Sequence, residues 1–203
     1  MPTHLHQAKK HERFEHLFKL MKSERFLKMQ GLGNEVPFYI CPYPPEDANM
    51  MVQLQQHLAK QLANQSIKVL QLSLYDIICD IMRREGDWDY YIEHETERDK
   101  ADLKDDLQSI LDVEKAVTPE INARMQATSF DILFLSGVGE VFPYIRSHNV
   151  LNNLQRFAKE HPTVLFFPGQ YVHTAERGAS LELFGKLHDD KYYRAFNVYS
   201  CEP

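Results

Sequence analysis

Ile132-Leu133-Phe134-Leu135, then Ser136-Gly137-Val138-Gly139-Glu140, then Thr163-Val164-Leu165-Phe166-Phe167: this stretch decides the fold class of the chain. Short apolar runs closed by turn residues suit strands covered on both faces. The residues between them leave room for a crossover helix. It is predicted to begin at Pro143, to carry Tyr144-Ile145-Arg146-Ser147-His148-Asn149 in its first turns, and to bury Leu151, Leu154 and Phe157. Pro168-Gly169-Gln170-Tyr171 closes the second run. The turns after both strands then lie on one carboxyl edge, where open α/β sheets bind ligands.

Upstream, residues 4–30 read as helix, with Phe14, Leu17, Phe18 and Met21 at helical spacing and Ser23 placed to cap a second short helix that ends at Gly31. A strand over 36–41 is stopped by Pro42-Tyr43-Pro44-Pro45, whose prolines cannot donate to a ladder but can open a helix. That helix starts near Glu46 and turns Met50 or Met51, Leu54, Leu58 and Leu62 to the sheet. A strand over 67–72 leads into Ser73-Leu74-Tyr75-Asp76, a capping-box-like start for a helix with Leu74, Ile77, Ile78, Ile81 and Met82 buried and Gly86 as its stop. Residues 87–127 are charged and helical in pattern, broken at Thr118-Pro119, and read as an insertion or lid rather than core. The last strand falls near 192–199, and residues 181–187 fit either a short helix or a hairpin turning at Asp189-Asp190. The expected product is one three-layer, Rossmann-like α/β domain over residues 1–203, with a mainly parallel sheet of about five strands, a helical extension at 1–30 and an acidic helical insertion at 87–127.

With 203 residues and 43% hydrophobic composition, the chain supports one ordinary core. Cys41, Cys79 and Cys201 are far apart and odd in number, which suits neither a disulfide framework nor a CxxC metal site; a reducing cytoplasm is the expected compartment. No apolar run approaches the ~20 residues of a membrane helix, and no apolar leader opens the chain, so neither membrane spanning nor secretion is expected. The net charge of −6 is concentrated: residues 87–112 hold ten acidic and three basic side chains, and the remainder is nearly balanced. Such a block is a solvated helical face or a docking surface for a basic partner. Without a dominant basic patch, direct specific nucleic-acid binding is not expected.

The central unit also resembles a known family. Gly137-Val138-Gly139-Glu140-Val141-Phe142-Pro143 followed by Arg146-Ser147-His148-Asn149-Val150-Leu151-Asn152-Asn153-Leu154 is similar to the signature of BrxB proteins, components of bacterial BREX (bacteriophage exclusion) defence systems. Gly31-Leu32-Gly33-Asn34-Glu35-Val36-Pro37-Phe38, Phe166-Phe167-Pro168-Gly169 and Tyr192-Tyr193-Arg194-Ala195-Phe196 fit the same family. The resemblance thus covers a whole domain. It implies a defence role through assembly with other BREX proteins, the alkaline-phosphatase-like PglZ component foremost, in a system that also contains a DNA methyltransferase and an ATPase. It brings no known reaction with it.

Nucleotide chemistry finds little support in the residues. A phosphate-cradling loop needs GxxxxGK[ST], and Gly185-Lys186 is followed by Leu187 without the preceding glycine. Gly137-Val138-Gly139 follows a strand, but Phe142 stands where the third glycine of a dinucleotide fingerprint would be. His4, His6, His11 and His16 are not spaced to put two imidazoles on one helical face, and His94-Glu95-Thr96-Glu97-Arg98 lacks the second histidine of HExxH. Ser136 lies in no GxSxG setting and reads as a turn residue. No catalytic residue, metal or cofactor is therefore assigned.

Two candidate surfaces remain. At the carboxyl edge, Ser136, Gly137, Gly139, Glu140, Arg146 and His148 could join Tyr171, Tyr43 and Asp47 around a ligand, with Arg146 offering a fork for carboxylate or phosphate or, alternatively, pairing structurally with Glu140. Trp88, Tyr90 and Tyr91 open the acidic segment and are candidate partner anchors, unless they pack the lid. The preferred reading is a non-enzymatic adaptor. Its competitor is a ligand-binding or hydrolytic enzyme working around Arg146 and His148.

Overall fold

The computed structural model describes residues 9–30, 36–174, 178–188 and 195–203. In chain order these form α1 (Lys10–Met21), the short α2 (Glu24–Leu27), β1 (Phe38–Tyr43), α3 (Ala48–Ala63), β2 (Val69–Ser73), α4 (Leu74–Glu85), α5 (Asp87–His94), α6 (Lys100–Ile110), α7 (Thr118–Ala127), β3 (Ile132–Ser136), α8 (Ser147–Leu154), β4 (Thr163–Thr174), β5 (Gly178–Leu183), β6 (Leu187–His188) and β7 (Phe196–Asn197). Strands β2, β3, β4, β1 and β7 lie side by side in that order and all run parallel.

Period-two alternation builds two cores, one on each side of this sheet. Phe38, Ile40, Leu133, Leu135, Leu165 and Phe167 face α4, α7 and α8, while Tyr39, Cys41, Ile132, Phe134, Val164 and Phe166 face α1 and α3. The result is the three-layer α/β arrangement that the apolar runs predict. Each fully buried Leu or Phe contributes ~1.5–3 kcal/mol of transfer free energy, so the strands are fixed from both faces. Helix α3 turns Met51, Leu54, Leu58 and Leu62 inward, and Ser73 caps α4 by accepting from the Asp76 N–H. Gly86 ends α4 at φ 86°, a left-handed conformation that glycine adopts without a Cβ penalty. The predicted amino-terminal helix divides at Ser23, which accepts from the Phe26 N–H. Rather than standing off, α1 buries Leu17, Leu20 and Met21 against α3.

Several boundaries differ from expectation for identifiable reasons. Strand β1 runs through Pro42 to Tyr43; β7 pairs only with Tyr39 and Ile40, so the missing proline N–H removes no ladder bond on that side. Residues 87–127 are not wholly outside the core, because Leu107, Leu111, Val117, Ile121 and Met125 are buried under α4. Their helical run is interrupted at Leu111 and Asp112, followed by a single π turn over Val113–Val117. Thr118-Pro119 instead opens α7, where a proline N–H would have no partner anyway. Helix α8 begins at Ser147 rather than Pro143, since residues 137–145 wind through turns closed by Val141 N–H to Gly137 and Ile145 N–H to Val141. Phe157 falls beyond its end and is exposed, and Ala158 takes the buried position.

The largest difference concerns Pro168-Gly169-Gln170-Tyr171, predicted to close a strand. Strand β4 continues through it, leaves the parallel sheet and pairs antiparallel with β5, Gly169 opposite Leu183 and Tyr171 opposite Leu181. A Cβ on Gly169 would collide with the Glu182 carbonyl oxygen, so only glycine lets the two backbones approach there. Residues 181–187 form a second hairpin, β5 to β6, turning at Phe184 and Gly185 with positive φ. The alternative turn at Asp189-Asp190 lies outside the described residues, as do His4, His6, Gly31, most of the glycine-rich segment at 31–38, and Tyr192 to Arg194.

Candidate functional site

The carboxyl edge collects Tyr43 at the end of β1, Ser136 at the end of β3 in register with Ser73, and the turns that follow. Gly137 has φ 82°, and a Cβ there would stand 3.0 Å from the Tyr75 nitrogen and 3.1 Å from that of Leu74. Its backbone thus fits against the first turn of α4, occupying the amide end that would otherwise attract an anion. Gly139 is closed in by the hairpin: a Cβ would meet the Phe184 ring and Pro168 at 3.0 Å. Glu140 is exposed and close enough to Tyr43 to act on it. Burial first, and the Glu140 charge second, push the Tyr43 phenol up to about 12, which keeps it protonated at neutral pH.

Asp47 points away from this group. It accepts from the buried Arg13 guanidinium of α1 at 2.8 Å, beside Cys41 and Tyr199, whose Sγ and Oη are 3.4 Å apart. Burial pushes the Cys41 thiol up to about 12 and Tyr199 well above its ordinary value, so both stay neutral. This polar knot ties α1, β1, α3 and the carboxyl terminus together. Tyr171 donates to the Ala195 carbonyl at 2.6 Å, just ahead of β7, and His148 is buried in the first turn of α8.

Arg146 stands immediately before α8 and is exposed, its guanidinium 4.9 Å from the Phe142 ring centre. Among the described residues it forms no ion pair, so the expected alternative with Glu140 is not made. It borders an open groove of about 410 Å³ together with Gln108, Asp112, Glu114, Tyr144 and Asn149. The Asp112 carboxylate counters its attraction for an anion, while Glu114 is paired with Arg156 at 3.0 Å. The edge therefore brings Tyr43 near Glu140, and leaves Asp47, Arg146, His148 and Tyr171 with separate surroundings.

The aromatic candidates divide by the geometry of α5. Trp88 and Tyr91 are partly buried against the core, with Arg83 4.6 Å above the Trp88 ring and Arg98 5.5 Å from that of Tyr91. Tyr90 points outward, 47% exposed, stacked on His94 at 4.6 Å and edge-on to Tyr91 at 5.3 Å. Ile92, 58% exposed, lies two residues further on, about 200° around the helix from Tyr90, and so occupies a separate flank. Sequence reading missed it, although it lies three residues from Asp89 on the polar side of the helix, where an isoleucine has no core to serve.

Among the described residues no cluster of three or more His, Cys, Asp or Glu side chains could hold a metal ion, and no helix is long and apolar enough to cross a membrane. A family model described as BREX protein BrxB matches residues 70–198. A BREX protein BrxB from Bacillus cereus (strain H3081.97) is 34% identical over 191 residues, covering 92% of this chain and 96% of that protein. Another BREX protein BrxB, from Escherichia coli O9:H4 (strain HS), is 28% identical over 180 residues, covering 88% of this chain and 86% of its own length. No solved structure matches.

Proposed function

This chain belongs to the BrxB family, and we propose that it serves a BREX phage-defence system as a non-enzymatic assembly component in the cytoplasm, with the PglZ component as its partner. One observation carries the non-enzymatic part. The residues that sequence reasoning places at the sheet edge are engaged in holding the fold: Gly137 on α4, Gly139 under Phe184, Asp47 on Arg13 and Tyr171 on Ala195. A catalytic constellation needs a nucleophile or base within hydrogen-bond reach of a reacting group and a further group orienting it. Among the described residues, Ser136 and Arg146 are not joined in such a chain of contacts. Membership in a BREX family supports other BREX proteins as partners, and the choice of PglZ rests on the resemblance.

A second reading keeps ligand binding or hydrolysis at the carboxyl edge, on the strength of one feature: the Arg146 guanidinium is exposed beside a groove with amide side chains. Tagged chain purified from cells carrying its neighbouring BREX genes, before and after nuclease treatment, tests the first reading. Retention of PglZ after nuclease supports assembly; recovery of the chain alone, or with DNA that nuclease removes, refutes it. Hydrolytic turnover that persists through purification and disappears in Arg146→Ala would establish the second.

A further inference from the structure

Far from the carboxyl edge and from α5, a cleft of about 340 Å³ opens where α2 and the last residues of the chain meet β1 and β7, a volume in the range of small-molecule sites. Its floor is aromatic. Tyr39 of β1 lies 4.6 Å from Phe26 of α2 and 5.6 Å from Phe196, its register partner on β7, measured between ring centres. Arg25, Cys201 and Glu202 line the same cleft, the two charged side chains exposed and the thiol partly so.

Tyr39 differs from the other tyrosines that the fold encloses. Tyr171 donates to the Ala195 carbonyl, and Tyr199 meets the Cys41 sulfur. Tyr39 is 5% exposed, yet its phenol forms no hydrogen bond among the described residues. A buried hydroxyl without a partner is costly, so an occupant of the cleft that offers it an acceptor gains more than one that does not. Burial first, and neighbouring Cys201 second, push this phenol up to about 12 against the pull of Arg25, which leaves it a donor at neutral pH. The Cys201 thiol, raised by burial, is already engaged, donating to the Asn197 carbonyl at 3.3 Å.

Arg25 is the cation whose charge bears on both Tyr39 and Cys201, and it forms no ion pair among the described residues. A guanidinium fork at the mouth and an O–H donor on the floor suit the oxygens of one carboxylate, and three rings suit the face or edge of a fourth. Glu202 opposes such a ligand, but it does so from the exposed mouth, where solvent screens it. An amine would find Glu202 and leave both donors without an acceptor.

We propose that this cleft binds a small aromatic carboxylate, its ring against Phe26, Tyr39 and Phe196 and its carboxylate between the Tyr39 hydroxyl and the Arg25 guanidinium. Such binding goes beyond the assembly reading and does not depend on it. Because the lining comes from α2, β1, β7 and the carboxyl-terminal residues, an occupant also fastens these elements together.

Cys41 and Cys79 are buried, so Cys201 is the accessible thiol and reports from within the cleft. The full chain is alkylated with a maleimide, and the rate at Cys201 is followed by peptide mass analysis with phenylacetate, benzylamine or acetate present. We expect phenylacetate to slow labelling saturably, with a Kd of about 1 mM or tighter, and the other two, which lack the carboxylate or the ring, to leave the rate unchanged. Arg25→Gln and Tyr39→Phe should each weaken the protection roughly tenfold or more, and Glu202→Gln should leave it equal or tighter. No saturable protection by phenylacetate, equal protection by benzylamine, or unchanged affinity in either of the first two variants would overturn the proposal. If Tyr39→Phe does not fold, Arg25→Gln, made on an exposed side chain, decides alone. Calorimetric titration with the same probes and variants decides if Cys201 proves unreactive.

Discussion

At the carboxyl edge of the sheet, Asp47 is bonded to Arg13, Tyr171 to the Ala195 carbonyl, and Gly139 fits beneath Phe184; on α5, Tyr90 is exposed beside the rings of Tyr91 and His94, and Asp89 and Glu93 form no ion pair among the described residues. Both regions hold the residue types usually read as functional. They differ in whether those residues are already used by the fold. A polar group whose bonding is satisfied within the chain makes the structure specific, whereas an exposed ring and unpaired like charges add nothing to stability. The comparison therefore sets residues that the fold uses at the edge against residues that it leaves open on α5, and substitutions in the two regions should fail differently.

The largest effect is expected at Gly169. Gly169→Ala drives a methyl group into the Glu182 carbonyl and toward the Phe167 ring, where β4 leaves one sheet and enters the hairpin. Loss of ~3 kcal/mol or more is expected, read as a lower denaturant midpoint at an unchanged slope. A midpoint equal to wild type would show that the edge has slack, and would weaken its assignment to architecture.

Trp88→Ala comes next and sharpens the division within α5 itself. The ring is half-buried between the core and Arg83, so its removal should lower stability by ~1–2 kcal/mol, part of the cost of a fully buried tryptophan. Thermal melting decides: an unchanged transition would return Trp88 to the exposed anchors and argue that the whole helix is a recognition element.

A smaller effect belongs to the charge clamp between α4 and α7. A hydrogen bond from Arg84, reinforced by Arg124, holds the Glu120 carboxyl below its usual value. Stability from this source is complete above the unfolded carboxylate value and is lost as pH falls through the lowered folded one. Urea midpoints should therefore drop more between about pH 6 and pH 3 in wild type than in Glu120→Gln, by up to ~1 kcal/mol. Equal drops would mean that the clamp contributes nothing, and that paired charge on α4 and α7 differs from unpaired charge on α5 in appearance only.

How much of this could be read from sequence follows from the range of the forces involved. Ile132 to Leu135 and Val164 to Phe167 were legible because burial on both faces writes itself as a continuous apolar run, and Ser73 and Gly86 because caps act within one helical turn. The passage of β4 through Pro168-Gly169 was not, since it depends on pairing with residues 178–183. Nor was the fate of Asp47, whose partner Arg13 lies 34 positions earlier. Pro143 is as acceptable at a helix start as in the turns it occupies, and nothing local distinguishes the two. On α5 the aromatic cluster was visible, but which ring faces out was decided by the docking of Trp88 and Tyr91 on the core, which left Tyr90 exposed.

Smallest of all in stability should be Tyr90→Ser/Ile92→Ser and Arg146→Ala, each within ~0.5 kcal/mol of wild type because the side chains removed are exposed. That makes the two variants a fair pair for the direct test, nuclease-treated co-purification of the tagged chain with its BREX neighbours, run side by side with wild type. With Tyr90, the exposed ring among the candidate anchors, as the proposed contact, the account predicts that Arg146→Ala retains the partner at wild-type yield while Tyr90→Ser/Ile92→Ser loses it. Loss of the partner in Arg146→Ala with retention in Tyr90→Ser/Ile92→Ser would contradict it and move recognition to the carboxyl edge of the sheet.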